Sequence, residues 1–176
     1  MPPLRGLYPP SLEEASCTQE LSIPGERIGW IAVSPAAEDA AALLDGATVC
    51  TRILGYVNAP ALMQKVIAAC LGATADVEAY RRKRDLLCPA LRDMGYDLVE
   101  PAGTFYAFPK VPLRPGETSP GDDLAFVECL QRELVLAVPG RGFGMPGYFR
   151  IAFCTDDSTI TGALPGFAAA IREYRK

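Results

Sequence analysis

Histidine is absent from the 176 residues of this chain, and its absence removes whole classes of chemistry. Without an imidazole there is no Ser-His or Cys-His nucleophilic pair, and most zinc sites are excluded as well. Acid–base chemistry must therefore use lysine, tyrosine, cysteine or carboxylates. The six cysteines do not stand at metal-ligand spacings, and several lie in apolar periodic segments. We therefore expect reduced, mostly buried thiols and no metal site.

Apolar runs of membrane-spanning length are also missing, and the first residues lack the layout of a signal peptide. We therefore expect no membrane partner and a cytoplasmic location. The net charge is −4, and the one basic run covers residues 80–84. Its charges stand at helical spacing beside Glu78 and Asp85, which favours a solvated helix face over a nucleic-acid surface. No nucleic-acid partner is expected.

The residues that are present suit a globular chain, because 49% are apolar and 22% are charged. Residues 1–15 are rich in proline and predict an extended arm that ends in a short helix at residues 11–15. A strand is predicted at residues 30–34. A helix is then predicted from residue 35 to about residue 44, where Gly46 ends it.

The remainder of the chain alternates between helical and extended patterns. Asn58 is the predicted N-cap of a helix that reaches about residue 71. The predicted elements that follow are a helix at 76–94, strands at 96–99 and 104–108, a helix at 122–133, strands at 135–138 and 148–154, and a helix ending near 174. This order predicts an α/β fold with helices on a small, largely antiparallel sheet.

The first informative motif covers residues 16–29 and reads SCTQELSIPGERIG. Its Pro-Gly pair predicts a turn, and Arg27 follows at the start of the next strand. Three hydroxyls precede that arginine, on Ser16, Thr18 and Ser22. Hydroxyls beside a guanidinium are compatible with a cradle for a phosphate or another oxyanion. An ordinary loop with a solvated arginine is the alternative.

The second motif covers residues 139–150 and reads PGRGFGMPGYFR. Arg150 lies on a predicted strand among apolar residues, where a buried guanidinium needs an anionic partner. The planar fork of arginine suits a carboxylate. The partner is then either a bound ligand or an aspartate or glutamate of the same domain, and the sequence leaves both open.

The first motif resembles the cofactor-lysine segment of the fold-type I, pyridoxal phosphate (PLP) dependent aminotransferases, in the aspartate aminotransferase-like class I/II group. That family has Ser-x-Ser-Lys, four residues, then Pro-Gly-x-Arg-x-Gly. Here Ser16 is the first serine, Thr18 replaces the second, and residues 24–29 match the rest. Gln19 stands at the position of the lysine. An amide cannot form an imine or act as a base near neutral pH.

The second motif resembles the loop that supplies the substrate-binding arginine of the same family. Residues 146–151 match, but Met145 stands at a position where that pattern has glycine. Further similar segments lie at residues 58–64, 100–106 and 160–167. The resemblance covers essentially the whole chain and is to the C-terminal portion of such an enzyme.

The resemblance implies PLP as cofactor and amino-group transfer between an amino acid and a 2-oxo acid. It implies that Ser16, Thr18 and Arg27 bind the cofactor, with Ser16 and Arg27 at its phosphate. Arg150 would hold the substrate carboxylate, and Gln19 would occupy the catalytic position of the Schiff-base lysine.

The resemblance also implies a division into two regions. Residues 1–57 would be a remnant of the PLP-binding large domain, with the cofactor-lysine segment and a linker, and residues 58–176 the small C-terminal domain. The core strand that precedes the lysine segment in the family is expected to be missing, together with the N-terminal half of the fold.

Three interpretations follow from the resemblance. The chain is an aminotransferase-family member that is inactive or impaired in isolation, one half of a split enzyme, or a non-catalytic binding or interaction module. Because the apolar faces of the large domain would be exposed, we expect a homo-oligomer or a complementing N-terminal chain as partner.

Overall fold

A computed structural model of the protein describes residues 10–118 and 121–176, apart from the side chains of Thr18 and Gln19. The part of the predicted N-terminal arm at residues 1–9 lies outside the described residues. The chain forms two compact units, which we call unit 1 (Met1–Ala75) and unit 2 (Asp76–Lys176). In the described ranges, no helix combines the length and apolar character needed to cross a bilayer.

Unit 1 is built on a two-stranded antiparallel sheet. Strand β1 (Leu12–Ser16) pairs with β2 (Gly29–Val33). The connection between them contains a short helix, α1 (Cys17–Glu20), and a 3₁₀ turn (Pro24–Glu26). The two strands therefore bring both ends of the first sequence motif together.

The short helix predicted at residues 11–15 is wrong, because these residues form β1. The strand expected to be missing before Ser16 is therefore present. Residues 12–16 instead supply the hydrogen-bonding partners that the backbone of β2 needs. Tertiary pairing here outweighs local propensity.

Helix α2 (Ala40–Ile53) starts later than predicted and continues through Gly46. The delay has a local cause, since Ser34 Oγ accepts a hydrogen bond from the Ala36 amide at 3.2 Å and forms a turn. A glycine inside a helix costs only about 1 kcal/mol relative to alanine. The alanines and leucines before Gly46 offset that cost.

Helix α3 (Ala61–Ala69) is the last described helix of unit 1. Its N-cap is Pro60, with no side-chain capping hydrogen bond, so the prediction of Asn58 as N-cap is wrong. Proline restricts φ and so favours the start of a helix, although it offers no side-chain acceptor for the first amides. Neither α2 nor α3 contains a buried residue.

Unit 2 packs three helices with a three-stranded sheet. The helices are α4 (Val77–Asp93), α5 (Asp123–Arg132) and α6 (Asp157–Tyr174), and the strands are β3 (Tyr106–Ala107), β4 (Val138–Pro139) and β5 (Phe149–Ala152). Both strand pairs are antiparallel, in the order β3-β5-β4. The predicted fold class, helices on a small antiparallel sheet, is confirmed.

Two helices of unit 2 begin where they were predicted to begin, and each has an aspartate as its N-cap. The Asp76 side chain accepts a hydrogen bond from the Ala79 amide at 3.0 Å, and Asp122 accepts one from the Leu124 amide at 3.0 Å. These bonds satisfy amide groups that have no partner within the helix.

The strand predicted at residues 96–99 is wrong, and the other strands of unit 2 are shorter than predicted. Tyr96 closes the end of α4 through a 3.0 Å bond from its amide to the Leu91 carbonyl. Its buried hydroxyl donates to the Phe167 carbonyl at 2.9 Å. The apolar pattern at this segment therefore reflects core packing and not strand pairing.

The pleat of β5 separates the core of unit 2 from its opposite face. Phe149, Ile151 and Phe153 are buried and belong to the core cluster. Arg150 and Ala152 alternate with them and point to the other face. Arg150 is thus held at the centre of the sheet without entering the hydrophobic core.

Candidate functional site

The first candidate site is an open groove in unit 1 with a volume of ≈ 980 Å³. Ser16 at the end of β1 and Arg27 just before β2 both line it, together with Trp30 and Tyr56. The structure therefore brings together two of the residues that the first motif singled out. Backbone strands and a turn, rather than the core of unit 1, fix their positions.

Gly29 makes the close approach of the two strands possible. It pairs with Ser16, and a Cβ atom at residue 29 would lie 2.6 Å from the Ala15 carbonyl oxygen. A 3.1 Å hydrogen bond from the Cys17 amide to the Ile28 carbonyl extends the pairing. The last glycine of the Pro-Gly-x-Arg-x-Gly pattern is therefore a steric requirement of the strand pair.

Arg27 adopts a left-handed backbone conformation, with φ 50° and ψ 49°, which is uncommon for a residue other than glycine. Its Nη1 donates to the Pro24 carbonyl at 3.2 Å, so the side chain lies against its own turn. Within the described ranges, no carboxylate forms an ion pair with it. The remaining donors of the guanidinium face the solvent at the groove.

Thr18 and Gln19 lie on α1, directly after Ser16. The structure describes only the backbone of these two residues, so the site is described without their side chains.

The second candidate site surrounds Arg150 in unit 2. Its Cζ atom lies 4.2 Å from the ring centroid of Tyr106 and 4.2 Å from that of Phe143. These are cation–π contacts, in which the ring faces attract the guanidinium. Among the residues that the structure describes, no carboxylate pairs with Arg150. An internal salt bridge to the described part of its domain is therefore excluded.

Phe143 reaches Arg150 from a 3₁₀ turn, Gly140–Phe143, that follows β4. The Gly140 amide donates to the Tyr148 carbonyl at 2.8 Å and closes the loop. A Cβ atom at residue 140 would clash with the carbonyl oxygens of Met145 and Tyr148. The left-handed positions of this loop are Gly144 and Gly147 and not Met145, so a side chain at residue 145 is tolerated.

An ion pair between the half-exposed Arg141 and the buried Asp123 fixes this turn to the start of α5. The fully buried Asp123 accepts bonds at its Oδ1 from the Arg141 side chain, at 2.8 Å from Nε and 2.6 Å from Nη2. Its Oδ2 accepts the Arg141 amide at 2.8 Å. Burial by itself raises the pKa of Asp123, but the hydrogen bonds from Arg141 outweigh burial and hold this pKa below its ordinary value.

Sequence reasoning missed three residues of the second site: Tyr106, Phe143 and Asp123. The second motif, residues 139–150, was interpreted through Arg150 only. Asp123 and Arg141 are 18 positions apart, and no periodicity links them. Tyr106 was predicted only as part of a strand, and Phe143 only as part of a loop.

Comparison with known proteins identifies relatives along most of the chain. Residues 8–165 match the sequence profile of the family "Aminotransferase class I and II". The aspartate aminotransferase of Thermotoga maritima is 29% identical over 144 residues, which cover 81% of this chain and 35% of that protein. The LL-diaminopimelate aminotransferase of Desulforudis audaxviator is 32% identical over 177 residues, 90% of this chain and 42% of that protein.

Solved structures give the same result. An amino transferase from Eubacterium rectale superposes with a TM-score of 0.76 at 39% identity, covering 98% of this chain and 42% of that one. An aminotransferase from Escherichia coli has a TM-score of 0.78 at 22% identity, covering 99% of this chain and 45% of that one, and it bears on the fold alone. The chain thus spans less than half the length of these relatives.

We predict that the Asp123–Arg141 pair makes the stability of unit 2 pH-dependent. Because the pKa of Asp123 is lower in the folded than in the unfolded chain, the pair stabilises unit 2 at neutral pH. This stabilisation is lost as the pH falls from about 4 through the folded-state pKa. Asp123→Asn should lower the free energy of unfolding at pH 7 by about 1–3 kcal/mol, and by less at pH 3. Urea unfolding followed through the NMR resonances of unit 2 measures both values.

Asp97→Asn is the matched control, because Asp97 pairs with Lys110 at 2.8 Å on the surface. Exposed pairs contribute little, so this variant should unfold like the wild type at both pH values. An Asp123→Asn effect of equal size at pH 7 and pH 3 would contradict the prediction.

Proposed function

The chain belongs to the class I and II aminotransferases, and from this membership we propose that it carries two ligand-binding parts of an aminotransferase site. Unit 1 would supply ligands for the phosphate of PLP, and unit 2 an arginine for the carboxylate of an amino acid or 2-oxo acid. We further propose that the isolated chain is inactive or impaired in amino-group transfer.

The residues of the groove fit a phosphate group. Arg27 offers a guanidinium that no carboxylate of the described ranges neutralises, and Ser16 lies on the same groove. Thr18, two residues after Ser16, is the third proposed ligand by resemblance. Charge-assisted hydrogen bonds from such groups are strong and short. When bound, PLP supplies an electron sink for chemistry at the amino-acid carbon.

Gln19 does not fit the covalent attachment of the cofactor. Its amide nitrogen is not nucleophilic and cannot take up a proton near neutral pH. Neither of the lysines with a described partner is a ready substitute. Lys110 is bound to Asp97 at 2.8 Å, and Lys83 donates to the Thr155 carbonyl. This supports a chain that holds ligands but lacks the amine that the reaction needs.

The environment of Arg150 carries the substrate proposal. Its guanidinium contacts two aromatic rings at 4.2 Å and has no ion pair among the described residues. A guanidinium that is held in place and lacks an internal anion is suited to an external one. Amino acids and 2-oxo acids share a carboxylate, which matches the arginine fork with two parallel hydrogen bonds.

A non-catalytic binding module is the second candidate function. The combination of Gln19 with the proposed carboxylate site around Arg150 favours it, because binding a carboxylate requires no lysine. Such a module would bind amino acids or 2-oxo acids whether or not PLP is present.

One half of a split aminotransferase is a third candidate. Unit 1 exposes large apolar side chains, with exposed fractions of 78% for Ile53, 73% for Tyr56 and 71% for Leu62. The chain covers 35% to 42% of the relatives compared above. A complementing N-terminal chain would cover those side chains.

We predict that the Gln19→Lys substitution restores covalent PLP capture. With PLP and borohydride, the variant should form a stable adduct that mass analysis maps to residue 19. The wild-type chain should form no specific adduct, because an amide cannot react in this way. Gln64→Lys is the matched control, since it adds an exposed lysine on α3 outside the groove. A stable wild-type adduct at any one lysine would overturn the proposed loss of function.

We predict that Arg150→Ala weakens the binding of 2-oxoglutarate and L-aspartate by about 10-fold or more, as expected for the loss of a charged hydrogen-bonding pair. Isothermal titration of the full chain measures it. Arg114→Ala is the control, because Arg114 also lies 4.3 Å from a ring centroid, that of Tyr174, but has Glu117 nearby at 3.9 Å. Equal affinities for wild type and Arg150→Ala would contradict the substrate proposal.

We predict that the chain associates through unit 1, because large exposed apolar patches favour association. Light scattering should give a mass above that of the monomer, and a hydrophobic dye should bind. Ile53→Lys and Leu62→Lys should reduce both signals. A monodisperse wild-type monomer that binds no dye would contradict this prediction.

A further inference from the structure

Two aromatic rings contact the guanidinium of Arg150, and its N–H groups, which would bind a ligand, have no described carboxylate partner. We propose that Tyr106 and Phe143 are positioning residues for Arg150, and that the Asp123–Arg141 pair holds Phe143 in the required place. The inference rests on the proposed role of Arg150 as the carboxylate ligand.

Sheet register places Tyr106 beside Arg150. Tyr106 on β3 is opposite Ala152 on the central strand β5, so Arg150 is its diagonal neighbour on the same face. Aromatic and long side chains reach each other across such a diagonal. The Tyr106 ring is itself supported, since its centroid lies 4.6 Å from that of the buried Phe105.

Phe143 comes from the turn after β4, the strand that flanks β5 on the side opposite β3. Val138 on β4 lies opposite Arg150, and the turn after β4 carries Phe143. The rings of Phe143 and Phe108 make an edge-to-face contact, with their centroids 6.0 Å apart and an interplanar angle of 81°. Phe108 in turn stacks on Tyr148 at 5.7 Å. Two elements that are separate in sequence thus each bring one ring to the guanidinium.

The position of Phe143 depends on the ion pair at the start of its turn. Arg141 stands two residues before Phe143 and binds Asp123 through both its amide and its side chain. Asp123 is fully buried on α5, so it provides a fixed anchor. Loss of that anchor would release the turn and, with it, one of the two rings.

Fixing the guanidinium before a ligand arrives increases affinity. A free arginine side chain loses rotamer freedom when it binds a ligand, and this loss opposes binding. Two ring contacts restrict Arg150 in advance while leaving its N–H groups without a described carboxylate partner. Tyr106 and Phe143 should therefore influence carboxylate affinity without touching the carboxylate.

The test measures 2-oxoglutarate affinity and the NMR shifts of Arg150 in the full chain. Phe143→Leu and Tyr106→Leu should each weaken binding about five-fold, the size expected for one cation–π contact. Phe143→Tyr should restore most of the affinity lost in Phe143→Leu, because it returns an aromatic face. The side-chain protons of Arg150 should shift upfield in the wild type and move downfield in each leucine variant and in Asp123→Asn.

The outcomes distinguish this inference from the proposed function. If Arg150→Ala weakens binding but both leucine variants bind like the wild type, the positioning role is wrong and the carboxylate role stands. If Phe143→Tyr binds as weakly as Phe143→Leu, the ring face is not the relevant property and the inference fails. If Arg150→Ala has no effect on binding, the proposed function fails first and removes the basis of the inference.

Discussion

The free-energy cost of placing a guanidinium in a hydrophobic sheet is the constraint on which unit 2 depends. Arg150 sits on the central strand of a three-stranded sheet, between Phe149 and Ile151, which are both buried. The strand pleat resolves the conflict by turning Arg150 to the opposite face. That face offers aromatic rings and no described carboxylate, so the charge is stabilised by weak contacts that an incoming anion can supplement. The same geometry that protects the core therefore creates the candidate binding site.

The local patterns that were read correctly are those whose cause is local. Asp76 and Asp122 cap helices within three residues of their own position, and the helices were predicted to start at these residues. The error at residues 12–16 arose because a distant group decides, since these residues form a strand as the partner of β2. The error at Gly46 has a local cause, because the alanines and leucines before it offset the cost of one glycine in a helix. The fold class was readable, since it depends on the order of elements and not on their exact ends.

In the candidate sites too, residues close in sequence were predicted together, and contacts between distant residues were not. Ser16 and Arg27 were singled out because they lie near each other in sequence, and the structure brings them to one groove. Arg150 was singled out by its chemistry, but the sequence left its partner open. Its actual contacts, Tyr106 and Phe143, lie on elements that only sheet pairing brings near it. The buried Asp123 gives no local signal either, because an acidic residue in the first helical turn is also typical of a solvated position.

The two proposed ligand-binding parts differ from covalent cofactor capture in what a single substitution removes. Holding a phosphate or a carboxylate requires positive charge and hydrogen-bond donors, which several residues share, and loss of one donor reduces affinity in part. Covalent capture of an aldehyde requires one amine, and no neighbouring hydroxyl or guanidinium replaces it. If residue 19 is the cofactor-lysine position, as proposed, its glutamine removes that amine and leaves the charges of Arg27 and Arg150 in place. The two described ring contacts of Arg150 both come from unit 2, so the proposed carboxylate site does not depend on which side chain stands at residue 19.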